Sequence, residues 1–168
     1  LEFRRVLFRS PGNQSRHVSV FQLDHKGGDP NGLDIIFSSL LFMIDSAEES
    51  VDLMFGYFQL FDELDAALTR AVQRGVKLRL VTNSGESNGL SYMNGIFGRA
   101  LQRLIELGAE IYVPKKSDDR DKKFCLHHKV AIADSKVALI GSWNCFGTSV
   151  FYDSDFSVVV FDENGSMH

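Results

Sequence analysis

Six residues, His127, Lys129, Asp134, Gly141, Ser142 and Asn144, stand within eighteen positions of this 168-residue chain, spaced as His-x-Lys, four residues, Asp, six residues and Gly-Ser-x-Asn. At roughly 5% usage per residue type, six fixed positions coincide by chance about once in 10⁷ to 10⁸ starts, so composition does not explain the pattern. A neutral imidazole is a competent nucleophile toward phosphorus near neutral pH. A lysine ammonium beside it neutralises the non-bridging oxygens of a phosphate under attack. Ser142 and Asn144 supply a hydroxyl and an amide, able to donate to those oxygens or to fix their own loop. The set reads as phosphodiester chemistry, and nothing in it calls for a metal.

The pattern predicts the elements that carry it. With Phe124 to Ala133 as a strand, alternate side chains share a face, so His127 and Lys129 point one way and His128 and Val130 the other, where His128 packs or hydrogen-bonds. A turn at Asp134 to Lys136 leads to a strand from Val137 to Ile140, with Gly141 at its end as a backbone requirement, and a last strand spans Phe156 to Phe161. Upstream, Val18, Val20 and Leu23 alternate as a short strand, and Leu33, Ile36, Phe37, Leu40, Leu41, Ile44 and Ala47 mark one helical face. Val51 to Phe55 reads as a strand ending at Gly56. Asp62 reads as an N-cap, with Asp65 in the first turn, for a helix whose stripe is Leu64, Ala67, Leu68, Ala71 and Val72 and whose stop is Gly75. Val76 to Val81 is an inner strand, and Thr82 to Gly89 a polar loop at the strand end where α/β sheets place ligands. A third helix from about Ser91 to Leu107, with Ile96, Phe97, Ala100, Leu101 and Leu104 inward, stops at Gly108 and precedes a strand at Ile111 to Val113. The alternation argues for an α/β sandwich with a mixed sheet.

A hydrophobic content of 44% over 168 residues supports one packed domain. Cys125 and Cys145 form neither a disulfide framework nor a metal spacing and are expected as small buried side chains. The longest mostly apolar stretch, Ile35 to Ile44, is half a membrane span and is interrupted by Ser38 and Ser39, so no transmembrane segment is expected. Residues 1–10, LEFRRVLFRS, are Arg-rich and unpatterned and end in Leu-Phe-Arg-Ser, the translation of a common sequencing-adapter end; we read them as a non-native adapter or vector segment. Without their three Arg and one Glu the net charge moves from −4 to about −6. That acidity weighs against non-specific gripping of nucleic acid, which relies on a basic face. The basic cluster of Lys115, Lys116, Arg120, Lys122 and Lys123 is interleaved with acids and reads as a solvated loop.

The motif resembles the HKD motif of the phospholipase D superfamily. From about Asp34 onward the chain is similar to the C-terminal halves of cardiolipin synthase-like members, in GYFQLFDELDAALTRAVQRGVKLRLVTNS and in LIELGAEIYVPK as well as in the motif. The resemblance implies a phospholipase D-like α/β sandwich, its mixed β-sheet flanked by helices, working without cofactor or metal. It implies phosphodiester hydrolysis or phosphatidyl transfer through a phosphohistidine, on a phospholipid and with an alcohol or water as acceptor. His127 and Lys129 are then catalytic; Lys129, Ser142 and Asn144 bind the substrate phosphate; Asp134 and Gly141 support the fold; and Tyr57 and Trp143 are candidate pocket residues, Trp143 reading as core or pocket wall. An acidic residue about thirteen positions after the motif serine orients the histidine in this family. Asp155 stands at that offset, with Asp153 as the close alternative, although family members often have Glu there.

The family mechanism needs a second histidine as acid and base. His17, His25 and His168 lack a lysine two positions on, so the resemblance implies that the second motif comes from an absent half or from a two-fold related subunit. Residues 11–168 accordingly read as a single domain with one motif, truncated at both ends, in a cytoplasmic or peripheral membrane protein. The rival readings are a dimeric, metal-independent endonuclease and an inactive half that binds phosphate or a membrane surface.

Overall fold

Period-two burial along the strands and three-to-four spacing along the helices assemble this chain into an α/β fold on a mixed sheet. The computed structural model describes residues 3–9, 15–27, 34–84, 94–114 and 125–162. In chain order these form β1 (Phe3–Arg9), β2 (Ser15–His25), α1 (Ile35–Ser46), β3 (Ser50–Phe55), α2 (Asp62–Gln73), β4 (Lys77–Val81), α3 (Asn94–Glu106), β5 (Glu110–Tyr112), β6 (Lys129–Ala133), β7 (Val137–Gly141), α4 (Gly147–Phe151) and β8 (Asp155–Asp162). The strands form an eight-stranded sheet in the order β1-β2-β8-β7-β6-β3-β4-β5. β3, β4 and β5 are mutually parallel, with α2 and α3 in the connections; β3 meets β6 antiparallel, and the rest of the sheet is antiparallel.

One face of the sheet carries the core. Val51, Leu53 and Phe55 of β3, Leu78 and Leu80 of β4, Ala131 and Ala133 of β6 and Leu139 of β7 cluster with Ile36, Leu40 and Ile44 of α1 and Leu64, Ala67 and Leu68 of α2. Each large aliphatic side chain buried here contributes roughly 1.5–3 kcal/mol relative to exposure. Ala100 and Leu104 of α3 are buried as expected, and Leu101 packs partly on the core. Ile96 and Phe97, and the basic cluster from Lys115 to Lys123, lie outside the described side chains. No described helix is long and apolar enough to cross a membrane.

Several local expectations are corrected. Asp62 is the first residue of α2 and not its N-cap: the cap is Phe61, which makes no side-chain cap bond, and Asp62, Glu63 and Asp65 place negative charge in the first turn, where the helix dipole favours it. Asp65 also pairs with Arg103 of α3 at 3.0 Å. Helix α1 does have a capping side chain, Asp34, whose Oδ1 accepts from the N–H groups of Ile36 and Phe37 at 2.9 Å each. Residues 3–9, for which no element was expected, pair with β2 as the edge strand β1; backbone pairing onto an open sheet edge requires no side-chain pattern.

The β6–β7 hairpin is held from outside itself. Asp134 and Ser135 have φ of 54° and 53°, and the Lys136 N–H donates to the Ala133 carbonyl at 2.9 Å. Positive φ at both central residues is the signature of a type I′ turn, whose twist matches the flanking strands. The Asp134 carboxylate accepts from the backbone N–H groups of Glu48, Glu49 and Ser50 at 2.9, 2.7 and 2.9 Å, fastening the turn to the α1–β3 connection. Burial pushes the Asp134 carboxyl up, but the three N–H donors and Lys136 together outweigh it and hold it below the ordinary 3.8. A depressed folded value means that this stabilisation is complete above the unfolded pKa and fades as pH falls through the folded one. Asp134→Ala removes three charge-assisted bonds and places a Cβ-bearing residue without a local hydrogen-bonding group at positive φ. It should lower unfolding free energy by roughly 2–4 kcal/mol in urea denaturation at neutral pH, with the deficit shrinking in acid. Equal midpoints for the two proteins at pH 7 would contradict this account.

Candidate active site

The motif residues gather at one edge of the sheet because β2, β3, β4 and β7 end there while β6 and β8 begin there. Register sets Phe55 opposite Lys129, Gly141 opposite Ser157 and His25 opposite Asp155. Gly141 is required by close approach: a Cβ would collide with the Phe156 carbonyl oxygen and the Ser157 hydroxyl.

His127 is exposed, and it precedes β6 rather than lying on it. The strand expected from Phe124 is displaced by a side chain. Asn83, fully buried just after β4, donates from Nδ2 to the carbonyls of Leu126 and Gly56, both at 2.9 Å, and accepts the Leu126 N–H at Oδ1 at 2.8 Å. Its amide thus takes both backbone groups of the residue before the histidine. Gly56 lets this segment approach β3, since a Cβ there would strike the Leu126 carbonyl oxygen, and the Gly56 N–H donates to the His128 carbonyl at 3.1 Å. The His127 ring stands edge to face with Tyr57, centroids 6.0 Å apart. His128, expected to pack or bond on the opposite face, is exposed.

Lys129 is half-buried, and its Nζ donates to the His127 carbonyl at 3.1 Å, which holds the ammonium at the root of the imidazole. Burial lowers the lysine below the ordinary 10.5, opposed by the electrostatic influence of Asp155 and, less, of Cys125. Ser142 donates from Oγ to Asp155 Oδ1 at 2.6 Å and accepts the Phe156 N–H at 3.0 Å, so its hydroxyl proton is committed to Asp155. Asp155 Oδ2 is buried without a hydrogen-bond partner, and the bond to His127 implied by the thirteen-residue offset is not formed in this structure. Asn144 is braced on Ser149 of α4, with its backbone N 3.3 Å and its Nδ2 3.5 Å from Ser149 Oγ, while its own Oδ1 is buried and unpartnered. Ser149 donates in turn to Asp153 at 3.2 Å, which engages the alternative acid in bracing Asn144.

Trp143, expected as core or as a pocket wall, is core: it is 1% exposed, packs on Phe37 and Phe55, and donates from Nε1 to Asp34 Oδ2 at 3.0 Å. Cys125, expected buried, is exposed, with Sγ 3.4 Å from Asn83 Nδ2. Cys145 is buried, which pushes its thiol pKa up. Sequence reasoning missed Asn83, Gly56 and Ser149. The only signal for Asn83 was its place in a polar loop at a parallel strand's C-terminal end.

A model of the family described as "Cardiolipin synthase, PLD-like domain" matches residues 40–167. The chain is 30% identical over 132 residues to cardiolipin synthase A of Buchnera aphidicola subsp. Baizongia pistaciae, covering 78% of this chain and 25% of that protein. It is 26% identical over 135 residues to cardiolipin synthase C of Escherichia coli K12, covering 74% and 28%. The chain therefore spans about a quarter of the length of these relatives. Among solved structures, Nuc of Salmonella typhimurium, described as a phospholipase D family member, superposes with a TM-score of 0.64 at 24% identity over 87% of this chain and 84% of that one. Phosphatidylserine synthase of Haemophilus influenzae gives 0.67 at 13% identity over 89% and 36%.

Two outcomes follow from the geometry. Asn83→Asp turns a carboxylate toward two carbonyl oxygens and should cost roughly 3 kcal/mol or more in denaturant unfolding; a loss under 1 kcal/mol would show that the amide does not hold the His127 segment. Asp155→Asn removes a charge that raises Lys129, so the lysine should titrate lower still in ¹³Cε NMR, and an unchanged titration would remove Asp155 from its surroundings.

Proposed function

Because this chain belongs to the cardiolipin synthase, phospholipase D-like domain family, we propose that it breaks a phospholipid phosphodiester through a phosphohistidine at His127 and passes the phosphatidyl group to water or an alcohol. The observation that carries this reading is the exposed His127 imidazole tethered through its own carbonyl to the half-buried Lys129 ammonium. The nitrogen lone pair of His127 forms the bond to phosphorus as the bond from phosphorus to the leaving oxygen breaks, and the departing alkoxide takes a proton from an acid. Lys129, with the Asn144 amide beside it, meets the charge that builds on the non-bridging oxygens. Asp155 steadies the imidazolium when His127 swings toward its carboxylate, the orienting role that carboxylates have beside nucleophilic histidines. Attack by water or an alcohol then frees His127.

The acid for the leaving group belongs to a second motif outside the chain, in another half or a two-fold partner. This separates the two steps experimentally. A phosphatidyl p-nitrophenyl ester loses its phenolate without a proton, so the chain in EDTA should release one nitrophenolate per chain in a burst and retain a phosphatidyl adduct on the His127 peptide by mass spectrometry. His127→Ala should abolish both, and Lys129→Met should slow the burst by about 10²-fold or more. No burst and no adduct from the folded chain would sink the reading. Faster release from a nucleoside p-nitrophenyl phosphodiester than from the lipid ester would favour the nuclease alternative.

A further inference from the structure

His25, the last residue of β2, is 7% exposed and stands directly opposite Asp155, the first residue of β8, in the antiparallel register. Residues so paired place their Cβ atoms about 4.5–5.5 Å apart on one face of the sheet. The Nε2 of His25 and the Oδ2 of Asp155 are both buried, and neither has a hydrogen-bond partner. A ring N–H and a carboxylate oxygen are complementary, and buried polar atoms left alone cost roughly 1–3 kcal/mol each.

A carboxylate stands on the other side of the imidazole. His25 Nδ1 lies 3.6 Å from Asp34 Oδ1, and Asp34 is itself immobilised by capping α1 and by accepting from Trp143. The chain just after His25 is pressed against the chain just before Asp155, since a Cβ on Gly27 would collide with the carbonyls of Tyr152 and Asp153. Asp24, the neighbour on β2, is exposed and occupied by Gln22 at 3.1 Å. The charged groups around the imidazole are therefore Asp34 ahead of α1 and Asp155 on β8, with Lys129 of β6 acting on Asp155.

We propose that His25 is a positioning residue for Asp155: its ring, backed by Asp34, offers Nε2–H to Asp155 Oδ2 and fixes the carboxylate from the side opposite Ser142. The contact stands on the register and the two orphaned atoms. Its catalytic consequence rests on the reading of Asp155 as the acid that orients His127.

The contact is tested on the chain itself by ¹H–¹⁵N NMR of the histidine rings. In the parent, His25 should show a slowly exchanging, downfield Nε2-bound proton that disappears or moves upfield in Asp155→Asn. Absence of that proton in the parent, or its persistence unchanged in Asp155→Asn, would overturn the proposal. In the nitrophenyl ester burst, His25→Leu should slow the rate at saturating substrate about tenfold, with half-saturation unchanged, while His25→Gln, which keeps an N–H donor, restores most of it. A His25→Leu burst equal to the parent's would refute the positioning role. A parent without any burst would instead refute the phosphodiester reading and leave the ring spectrum to decide the contact, as it also does if His25→Leu fails to fold.

Discussion

The amide of Asn83 holds together the place where the sheet changes character. β3 pairs parallel with β4 on one side and antiparallel with β6 on the other, and the segment from Cys125 to His128 has to join that junction before β6 begins. Asn83 makes the join by taking the N–H and C=O of Leu126 and the carbonyl of Gly56 in one buried side chain. Each such bond is worth only about 1 kcal/mol net, but losing the side chain strands three backbone groups away from water, and it is this asymmetry that fixes the segment. The missing side chain of Gly56 is the other half of the same constraint.

From that junction outward the candidate site divides into an exposed imidazole and a half-buried support. His127 is open to solvent, whereas Lys129, Asn144 and Asp155 are half-buried and are held by His127 itself, by Ser149 and by Ser142. Among the described residues four buried side-chain atoms lack a partner, and two of them, Asn144 Oδ1 and Asp155 Oδ2, belong to this support. Such orphans destabilise a fold and persist where a site uses them. Asp134 is the contrast: all its capacity goes to three backbone donors at the far end of β6, where its work is to hold the hairpin.

What could be seen in the sequence was what local periodicity encodes. The stripe from Leu64 to Ala71 is buried as read, and Gly75 ends α2 with a φ of 89°. The motif spacing was legible because β6, its I′ turn and β7 form one hairpin whose register alone brings Lys129 and Gly141 to the same edge. Features set by contacts between distant segments were not legible. His127 sits off the strand because of a residue 44 positions earlier; Trp143 turns inward because Asp34 receives its N–H; and α4 is too short to carry a period, yet it braces Asn144. Asp62 misled because first-turn acids and N-caps share the same residue types, and only the backbone of Phe61 tells them apart.

On the proposed mechanism, the placement of these groups also bears on where the second half of the catalytic cycle would come from. In an in-line displacement the attacking and leaving atoms lie on opposite sides of phosphorus. Lys129, Ser142, Asn144 and Asp155 all rise from the sheet edge that carries His127, so a phosphate seated on them with His127 behind it turns its leaving oxygen away from this sheet. Lys129 is a cation at this edge, and its ammonium is occupied at the His127 carbonyl. Asp155 is bonded to Ser142 on the nucleophile's side. If His127 is the nucleophile, a proton donor for the leaving oxygen would approach from the solvent side of His127. Another motif facing this one across the phosphate meets that requirement, whether it comes from the same full-length chain or from a two-fold partner.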